Sequence, residues 1–297
     1  MKKKILNIDG GGVKVYLPLL ILNYIEKQTN KKIIDIFDFY AGVSASSIIL
    51  SGLLIGYSVE DMLKMFKDIS YNIFSIPYRY RISSAFGLLN AKYPDEGINS
   101  QLEKLCNNVK LSDIKKPLSI LTYDINSNLP INYSSIKDND ILLWKVIRAS
   151  SSAPTYFSSF DIDEYTLIDG GMVVNNMCEY AFMNAHEYFG NDCDFIQLSL
   201  GTGIFNKKNK KPNTLLDWFD IILTMKFNIS TMYENVMIRD LVKNNPKNEY
   251  NRFDFNLESY IGLDDYTVFD KMDNIFDTWL EDNKSQLDKF ILDISEE

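Results

Sequence analysis

The sequence predicts an α/β protein, a three-layer α/β/α sandwich with a mostly parallel central sheet. Two features predict this fold. Twice near the N-terminus, at residues 5–22 and 36–54, a short apolar stretch leads through small residues into an apolar run that suits a helix. Farther along, patterns typical of strands alternate with patterns typical of helices. Because parallel strands need crossover connections, this alternation favours a parallel-dominated sheet with helices on both faces.

The first unit consists of a predicted strand at residues 5–8, a tight turn at residues 9–12 and a helix that follows. Pro18 is tolerated early in that helix if the helix begins near Val15 or Tyr16, where a missing N–H costs little. The second unit repeats this order, with a strand at residues 36–41, a sharp turn at residues 42–46 and a helix behind it.

The remaining elements follow from the same patterns. Further strands are predicted at residues 118–123, 131–134, 165–168 and 195–200, and further helices at residues 59–69, 99–106, 141–150 and 177–189. We expect a catalytic domain at residues 1–205 and a helical C-terminal extension at residues 206–297 that packs on the same domain. The aromatic segment at residues 71–93 has no sustained period, which fits either a lid or an irregular loop with its aromatic rings in the core.

Composition and charge exclude several classes of function. The 297 residues carry a net charge of -9, which argues against nucleic acid as a partner because its phosphates must be neutralised by basic residues. The same charge disfavours electrostatic docking on anionic membranes. A protein of this charge that acts on lipid must approach it through apolar surface, through a local basic patch such as residues 207–211, or through neutral headgroups.

The cysteines predict neither disulfides nor a metal site. Cys106, Cys178 and Cys193 are few and scattered, without the paired spacing of zinc ligands. The expected compartment is therefore the cytoplasm. The apolar stretch after the N-terminal lysines is broken by Asp9, too early for the core of a signal peptide. No run of residues approaches the roughly 20 apolar residues of a membrane span.

Ser44 is the candidate nucleophile. It lies at the predicted strand-turn-helix junction, where a strained turn lifts a hydroxyl above the sheet and the helix N-terminus faces a developing oxyanion. Gly42 opens the G-x-S-x-G pattern, but Ser46 stands at its last position. The alternative is an ordinary helix start in which Ser44 is the N-cap.

A nucleophilic serine needs a base, and the chain has a single histidine, His186. A Ser-His-Asp enzyme would have to use it, but its surroundings predict a helix interior and favour a structural role. Asp169 is the leading alternative, because it ends a predicted strand and is followed by Gly170 and Gly171, which give its side chain room. An ordinary Asp-Gly turn is the competing interpretation.

Gly10, Gly11 and Gly12 form a glycine run between a strand and a helix, where successive amides can point at one anion or developing oxyanion. A dinucleotide fingerprint would need a glycine at Val15, and a phosphate loop would need a Gly-Lys-Ser/Thr sequence. Neither pattern is present, which leaves nucleotide binding a minor alternative.

Together these elements resemble the patatin-like phospholipase family. Its D-G-G-G-x-R/K-G motif corresponds to residues 9–15 with Lys14 at the basic position, its G-x-S-x-G motif to residues 42–46, and its D-G-G motif to residues 169–171. The segments 148–157 and 198–203, and Asn175 after the D-G-G motif, add to the similarity, which spans residues 3–205.

The resemblance implies a lipid acyl hydrolase of the phospholipase A or lysophospholipase type. It implies that Asp169 takes the proton from Ser44, that an acyl-enzyme forms on this serine, and that the amides of Gly10, Gly11 and Gly12 hold the oxyanion. It also implies a phospholipid or other acyl-lipid substrate at a membrane or micelle surface, no metal and no cofactor.

Val15 and Ser46 replace motif glycines, which predicts a slightly wider or shifted site. Two alternatives remain open at this point. One is a lipid-binding or regulatory protein that has lost turnover, and the other is an enzyme that transfers the acyl group to an acceptor other than water.

Overall fold

The computed structural model describes residues 2–76, 80, 90–137, 140–190, 192–205, 213 and 215–295. The α-helices are α1 (Tyr16–Thr29), α2 (Ile33–Ile36), α3 (Ala45–Leu54), α4 (Val59–Phe74), α5 (Asp95–Cys106), α6 (Leu143–Ser150), α7 (Cys178–Phe189), α8 (Leu215–Lys243) and α9 (Phe269–Ser295). The strands are β1 (Lys2–Ile8), β2 (Phe39–Val43), β3 (Leu118–Asp124), β4 (Leu129–Ser134), β5 (Phe160–Ile162), β6 (Tyr165–Asp169), β7 (Asp194–Leu200), β8 (Ile204–Phe205), β9 (Glu249–Phe253) and β10 (Asn256–Leu257).

The central sheet is mixed and mostly parallel. Its hydrogen-bonded order is β5-β6-β3-β2-β1-β7-β9, and β4 also pairs with β3. Five neighbouring strands, in the order β3, β2, β1, β7 and β9, run parallel to one another. Strands β4 and β6 pair with β3 in the antiparallel sense. The parallel strands bring the segments that follow them to one edge of the sheet.

Helices cover both faces of the sheet, as the sequence predicts. On β1, Leu6 and Ile8 join the larger apolar core, which helices α1, α3, α4, α5, α6 and α9 complete. Ile5 points to the opposite face and joins a smaller core with residues of α7 and α8. This alternation along one buried strand is the side-chain period of two that a β-strand imposes, and it confirms the three-layer sandwich.

Local signals set the helix ends. The hydroxyl of Ser58 accepts a hydrogen bond from the amide of Asp61 at 3.0 Å and so caps the N-terminus of α4. Asn30 adopts a left-handed conformation with φ 53° after α1, the conformation in which many helices end.

One predicted element lies in a different place. The strand predicted at residues 36–41 begins only at Phe39, because residues 33–36 form the short helix α2. Ile33 and Ile36 of this helical turn are buried. Ile36, the first residue of the predicted strand, therefore belongs to a helix. Apolar residues that are buried in either conformation do not distinguish the two by period.

Strands as well as helices follow residue 205. Strand β9 pairs in parallel with β7 and extends the sheet at that edge, and β10 pairs with β8 in a separate ribbon. Lys4 of β1 donates a hydrogen bond to the carbonyl of Ile294 in α9. The division of the chain at residue 205 stays a prediction.

Two sequence predictions fall largely outside the described residues. The basic patch at residues 207–211 lies outside them, and so do residues 77–79 and 81–89 of the aromatic segment. The described rings at the two ends of that segment, Phe74 and Tyr93, pack against each other with centroids 5.0 Å apart. None of the helices in the described ranges combines the length and the apolar character that a membrane span requires.

A buried arginine joins α5 to α6. The guanidinium of Arg148 is fully buried and pairs with Asp95 at 2.5 Å and with the side chain of Asn99 at 2.9 Å. It also donates to the hydroxyl of Ser152. Removing one partner of such a pair leaves the other charge in an unfavourable environment.

We therefore expect Arg148→Met to lower the free energy of unfolding by about 3 kcal/mol. This value is at the lower end of the range for breaking buried ion pairs, because Asp95 is partly exposed. Urea denaturation measures the change in the free energy of unfolding. The matched control is Lys64→Met, which breaks an exposed pair with Glu60 and should leave the free energy of unfolding almost unchanged, because solvent screens exposed ion pairs. Equal effects of the two substitutions would contradict this account.

Candidate active site

Ser44 occupies a strained turn between β2 and α3. Its backbone has φ 57° and ψ -137°, a conformation that residues other than glycine rarely adopt. Its side chain makes no capping hydrogen bond to α3, so its hydroxyl does not serve as the helix N-cap that the sequence left open. The N-terminus of α3 nevertheless begins directly behind this hydroxyl.

Two strand ends meet beside Ser44. Strand β4 pairs with β3 along residues 119–124 and so occupies one edge of that strand. Strands β2 and β6 must therefore share the other edge, where Val43 lies opposite Leu121 and Asp169 opposite Thr122. The strands approach from opposite directions, and their C-terminal residues arrive at adjacent positions.

The side chains at these two strand ends are in contact. The hydroxyl of Ser44 donates to Oδ2 of Asp169 at 2.6 Å. The amide of Gly171 donates to Oδ1 of the same carboxylate at 2.7 Å. The structure thus joins two residues that the sequence singles out separately, 125 positions apart.

Burial controls the charge of Asp169. The side chain is almost completely buried, and desolvation raises its pKa to about 7, while the hydrogen bonds from Ser44 and Gly171 oppose that shift. A carboxylate with a pKa in this range can accept a proton near neutral pH and also return it.

Small residues make this junction possible. A Cβ at Gly170 would lie 2.2 Å from the carbonyl oxygen of Leu121, so only glycine fits between β6 and β3. Ser150 completes the junction, because its hydroxyl accepts from the amide of Ser44 at 2.9 Å and donates to the same carbonyl of Leu121 at 2.7 Å.

Ser46 has a structural role in place of the motif glycine. Its hydroxyl accepts from the amide of Val43 at 2.9 Å, and the carbonyl oxygens of Val43 and Ile8 lie within its donating distance, at 2.8 and 2.9 Å. It therefore ties the turn of Ser44 to the end of β1. A Cβ at Gly42 would lie 2.9 Å from this hydroxyl, which accounts for the glycine at that position.

The glycine run leaves β1 beside Ser44, but its three amides differ. The amide of Gly10 donates to the carbonyl of Asn175 at 3.0 Å, so it is not free to hold an oxyanion, contrary to the sequence prediction. The amides of Gly11 and Gly12 donate to no acceptor within the described ranges. Gly11 is the N-cap and Gly12 the first residue of the 3-10 helix Gly12–Val15, and the first N–H groups of a helix have no acceptor within it.

The last two residues of the glycine motif, Lys14 and Val15, have different surroundings. Val15 is fully buried in the larger core, so it does not intrude on the site. Burial lowers the pKa of Lys14, and Asp254 and Asp9 oppose that shift. The ammonium group of Lys14 forms no ion pair with any residue that the structure describes, and Lys14 lines the larger of the two cavities described below.

A buried ion-pair network holds Asp9 at the start of the glycine run. Arg252 of β9 donates to both oxygens of Asp9, at 2.9 and 2.7 Å, and to Asp254 at 2.6 Å. The side chains of Arg252 and Asp9 are only 7% and 3% exposed. Because the pair is bidentate, it fixes the orientation of Asp9. Burial raises the pKa of Asp9 to about 6, and Arg252 opposes that shift.

Two further contacts from the C-terminal third support the same loop, one directly and one through Asn175, whose carbonyl binds Gly10. The carbonyl of Leu263 accepts from the amide of Val13 at 2.8 Å, and a Cβ at Gly12, where φ is +57°, would lie 2.1 Å from that carbonyl oxygen. The hydroxyl of Ser230 in α8 accepts from the amide of Asn175 at 3.0 Å. No local pattern in the sequence links Leu263, Ser230 or Arg252 to the glycine run, so sequence reasoning missed these three residues.

One cavity is lined by the Ser44–Asp169 pair, and a second, wider cavity lies beside the first. The narrow cavity, of about 60 Å³, is lined by Ser44, Asp169, Gly11, Gly12 and mostly apolar side chains that include Ile48, Phe66, Ile69, Ile73, Phe74 and Phe157. The wide cavity, of about 500 Å³, is lined by Lys14, Asp9, Asp254 and residues of α8. Gly11, Tyr156, Asn175, Phe227 and Leu263 line both, so the two cavities share a wall.

His186 lies away from this pair. It is on α7, where its ring packs against Phe182 and Phe195 with centroids 6.2 and 5.9 Å away. The hydroxyl of Ser44 has Asp169 as its hydrogen-bond partner instead. The geometry therefore favours the carboxylate over the histidine.

Comparison with known proteins gives consistent matches. The chain is 27% identical over 262 residues to patatin-like protein 2 of Arabidopsis thaliana, which covers 72% of this chain and 64% of that protein. It is 26% identical over 249 residues to the 85/88 kDa calcium-independent phospholipase A2 of Rattus norvegicus, covering 72% and 28%. A third relative, the probable inactive patatin-like protein 9 of Arabidopsis thaliana, is 26% identical over 240 residues, covering 68% and 61%.

The chain spans less than two thirds of the length of each of these relatives. The sequence model of the patatin-like phospholipase family matches residues 6–182, more than half of the chain, and this range contains the glycine run, Ser44 and Asp169. The chain belongs to the patatin-like phospholipase family.

Proposed function

We propose that this protein is a lipid acyl hydrolase of the phospholipase A or lysophospholipase type, with Ser44 as nucleophile and Asp169 as its base. The observation that carries the proposal is the 2.6 Å hydrogen bond from the Ser44 hydroxyl to Asp169. A nucleophile within hydrogen-bond reach of a base, where a third group orients the base, is the arrangement that covalent catalysis requires. Here the amide of Gly171 orients the base.

In the first half of the reaction, Ser44 Oγ attacks the ester carbonyl carbon and its proton passes to Asp169. The carbonyl oxygen becomes an oxyanion, which the free amides of Gly11 and Gly12 and the N-terminus of α3 stabilise. When the tetrahedral intermediate collapses, the ester C–O bond breaks, and the leaving alcohol takes the proton from Asp169. The acyl group remains on Ser44.

In the second half, water attacks the acyl-enzyme and gives a proton to Asp169. Collapse of the second intermediate releases the fatty acid and returns the proton to Ser44. The raised pKa of Asp169, about 7, suits both directions of transfer, because a base that is too weak cannot accept the proton and one that is too strong cannot return it.

The cavities support an acyl-lipid substrate. The narrow cavity is lined by Ser44 and by apolar side chains of α3 and α4, a suitable environment for the first carbons of an acyl chain next to the ester carbonyl. The wide cavity offers Lys14 together with polar side chains such as Asn175 and Thr202, and we assign it to the rest of the lipid.

The main alternative is a family member that binds lipid without turnover. Val15 and Ser46 motivate it, and one relative is named as probable inactive. The hydrogen bonds of Ser46 to the Ser44 turn and to β1, and the burial of Val15 away from both cavities, support an intact site instead. Acyl transfer to another acceptor uses the same first half-reaction, and product analysis separates it from hydrolysis.

We expect Ser44→Ala and Asp169→Asn each to reduce the release of fatty acid from phosphatidylcholine and lysophosphatidylcholine by at least about 10³-fold. The first removes the nucleophile and the second removes the base while preserving its shape. The control is Ser51→Ala, the same change on α3 at a buried hydroxyl without a hydrogen-bond partner in the described chain, and it should change the rate less than about twofold. Release that persists in both active-site variants, with circular dichroism unchanged, would refute the dyad.

The second prediction concerns pH. Asp169 must be ionised to accept the proton, so kcat/KM should rise with increasing pH, with an inflection near the Asp169 pKa of about 7, and level off above it. Initial rates with a soluble ester between pH 5 and 9 measure this profile. Rates that are flat across this range, or that fall as pH rises through 7, are incompatible with Asp169 as the base.

A further inference from the structure

Helix α8 carries an outward-facing row of large apolar side chains. Its members are Trp218, Ile222, Met225, Ile229, Met232 and Val236, and each is between 53% and 65% exposed. Their spacing alternates between four and three residues, which places them along one face of the helix. We call this row the α8 stripe.

The α8 stripe is long and continuous. From Trp218 to Val236 it extends about 27 Å at 1.5 Å per residue, and Tyr233, 59% exposed, widens it. Soluble proteins expose single apolar side chains freely, but a contiguous exposed row of this kind marks a binding surface. The inner face of the same helix is already in use, since Leu223 and Ile238 are buried against the rest of the protein.

The α8 stripe reaches the mouth of the wide cavity. Met232 and Val236 belong to the stripe and also line that cavity, and Tyr260, 51% exposed, lies at the same mouth. A second protein copy packed on the stripe would cover this opening. A lipid surface against the stripe would instead place the substrate at the opening.

From Ile222 to Val236 the stripe has no charged member. Two charged residues lie on α8 in that range, Lys226 and Glu234, and neither belongs to the stripe; Asp217 and Asp220 flank Trp218 in the sequence at its other end. Lys226 donates a hydrogen bond to the carbonyl of Val173, and Glu234 is buried. With a net charge of -9, the chain is repelled by anionic lipid, so the surface that fits an uncharged stripe is a zwitterionic bilayer, entered by apolar contact.

We propose that the α8 stripe docks on the surface of a zwitterionic phospholipid bilayer, and that a lipid enters the wide cavity past Met232 and Val236. This inference rests on the proposed function, because it names how the substrate reaches the same site. Trp218 and Tyr233 fit this role, since amphipathic aromatic side chains favour the boundary between water and the acyl region.

The test is vesicle binding by a variant in which Met225→Glu and Ile229→Glu are combined. Both residues are exposed and neither lines a cavity. The matched control combines Met183→Glu on α7 with Leu292→Glu on α9, two exposed apolar residues outside α8. Both pairs are made in the Ser44→Ala protein, so that binding is measured without hydrolysis.

We expect the α8 pair to reduce co-flotation with phosphatidylcholine vesicles by at least about tenfold, because charge must be moved into the interface, and the control pair to change it less than about twofold. Adding phosphatidylglycerol should not increase binding. The milder pair, Met225→Gln combined with Ile229→Gln, should give an intermediate loss of vesicle binding. If the glutamate pair lowers the unfolding midpoint of the protein, the glutamine pair decides the test.

Several results would overturn the proposal. These are equal losses in the α8 and control pairs, binding that requires anionic lipid, or a wild-type dimer that the α8 pair converts to monomers while vesicle binding is unchanged. With an intact Ser44, the α8 pair should lower hydrolysis of vesicle lipid relative to that of a monomeric short-chain ester. A protein that binds vesicles through α8 yet hydrolyses neither substrate would refute the proposed function and leave the docking surface standing.

Discussion

The site depends on one edge of strand β3. Because β4 occupies the opposite edge, β2 and β6 must share this one and end at neighbouring positions beside Leu121 and Thr122. That constraint brings Ser44 and Asp169 within hydrogen-bond distance, and it also demands glycine at 170, where no Cβ fits against β3. The antiparallel strand β6 in a mostly parallel sheet therefore brings about the contact between Ser44 and Asp169.

The remainder of the site depends on residues beyond the range that the family model matches. Arg252 orients Asp9 through a buried bidentate ion pair, and the carbonyl of Leu263 holds the turn that follows Gly12. These contacts hold the loop in which Gly11 and Gly12 line the narrow cavity together with Ser44, so the C-terminal third of the chain contributes to the geometry of the site. Among the residues that the structure describes, Lys14 forms no ion pair, and Asp254 and Asp9 oppose the lowering of its pKa by burial.

Sequence reasoning finds what is encoded locally. Ser44 and Asp169 each end a strand and are followed by small residues, and the near-absence of histidine leaves a carboxylate as base, so both candidates follow from short patterns. The engagement of Gly10 with Asn175 and the contacts of Arg252 and Leu263 join residues that are far apart in the chain, and no periodicity encodes them. The sequence predicts the start of β2 too early for a related reason. Ile33 and Ile36 are buried in a helical turn, and apolar character alone does not distinguish such a turn from a strand.

The central claim is that Asp169 activates Ser44, and the rate of covalent labelling by a fluorophosphonate tests it most directly. The phosphorus of this probe is attacked by an activated serine hydroxyl, whatever lipid the enzyme prefers. The account predicts that wild-type protein is labelled at Ser44, identified by peptide mass spectrometry, and that Asp169→Asn slows this labelling by at least about 10²-fold with its circular dichroism unchanged. Equal labelling rates in the two proteins, or labelling at a different serine, would contradict it.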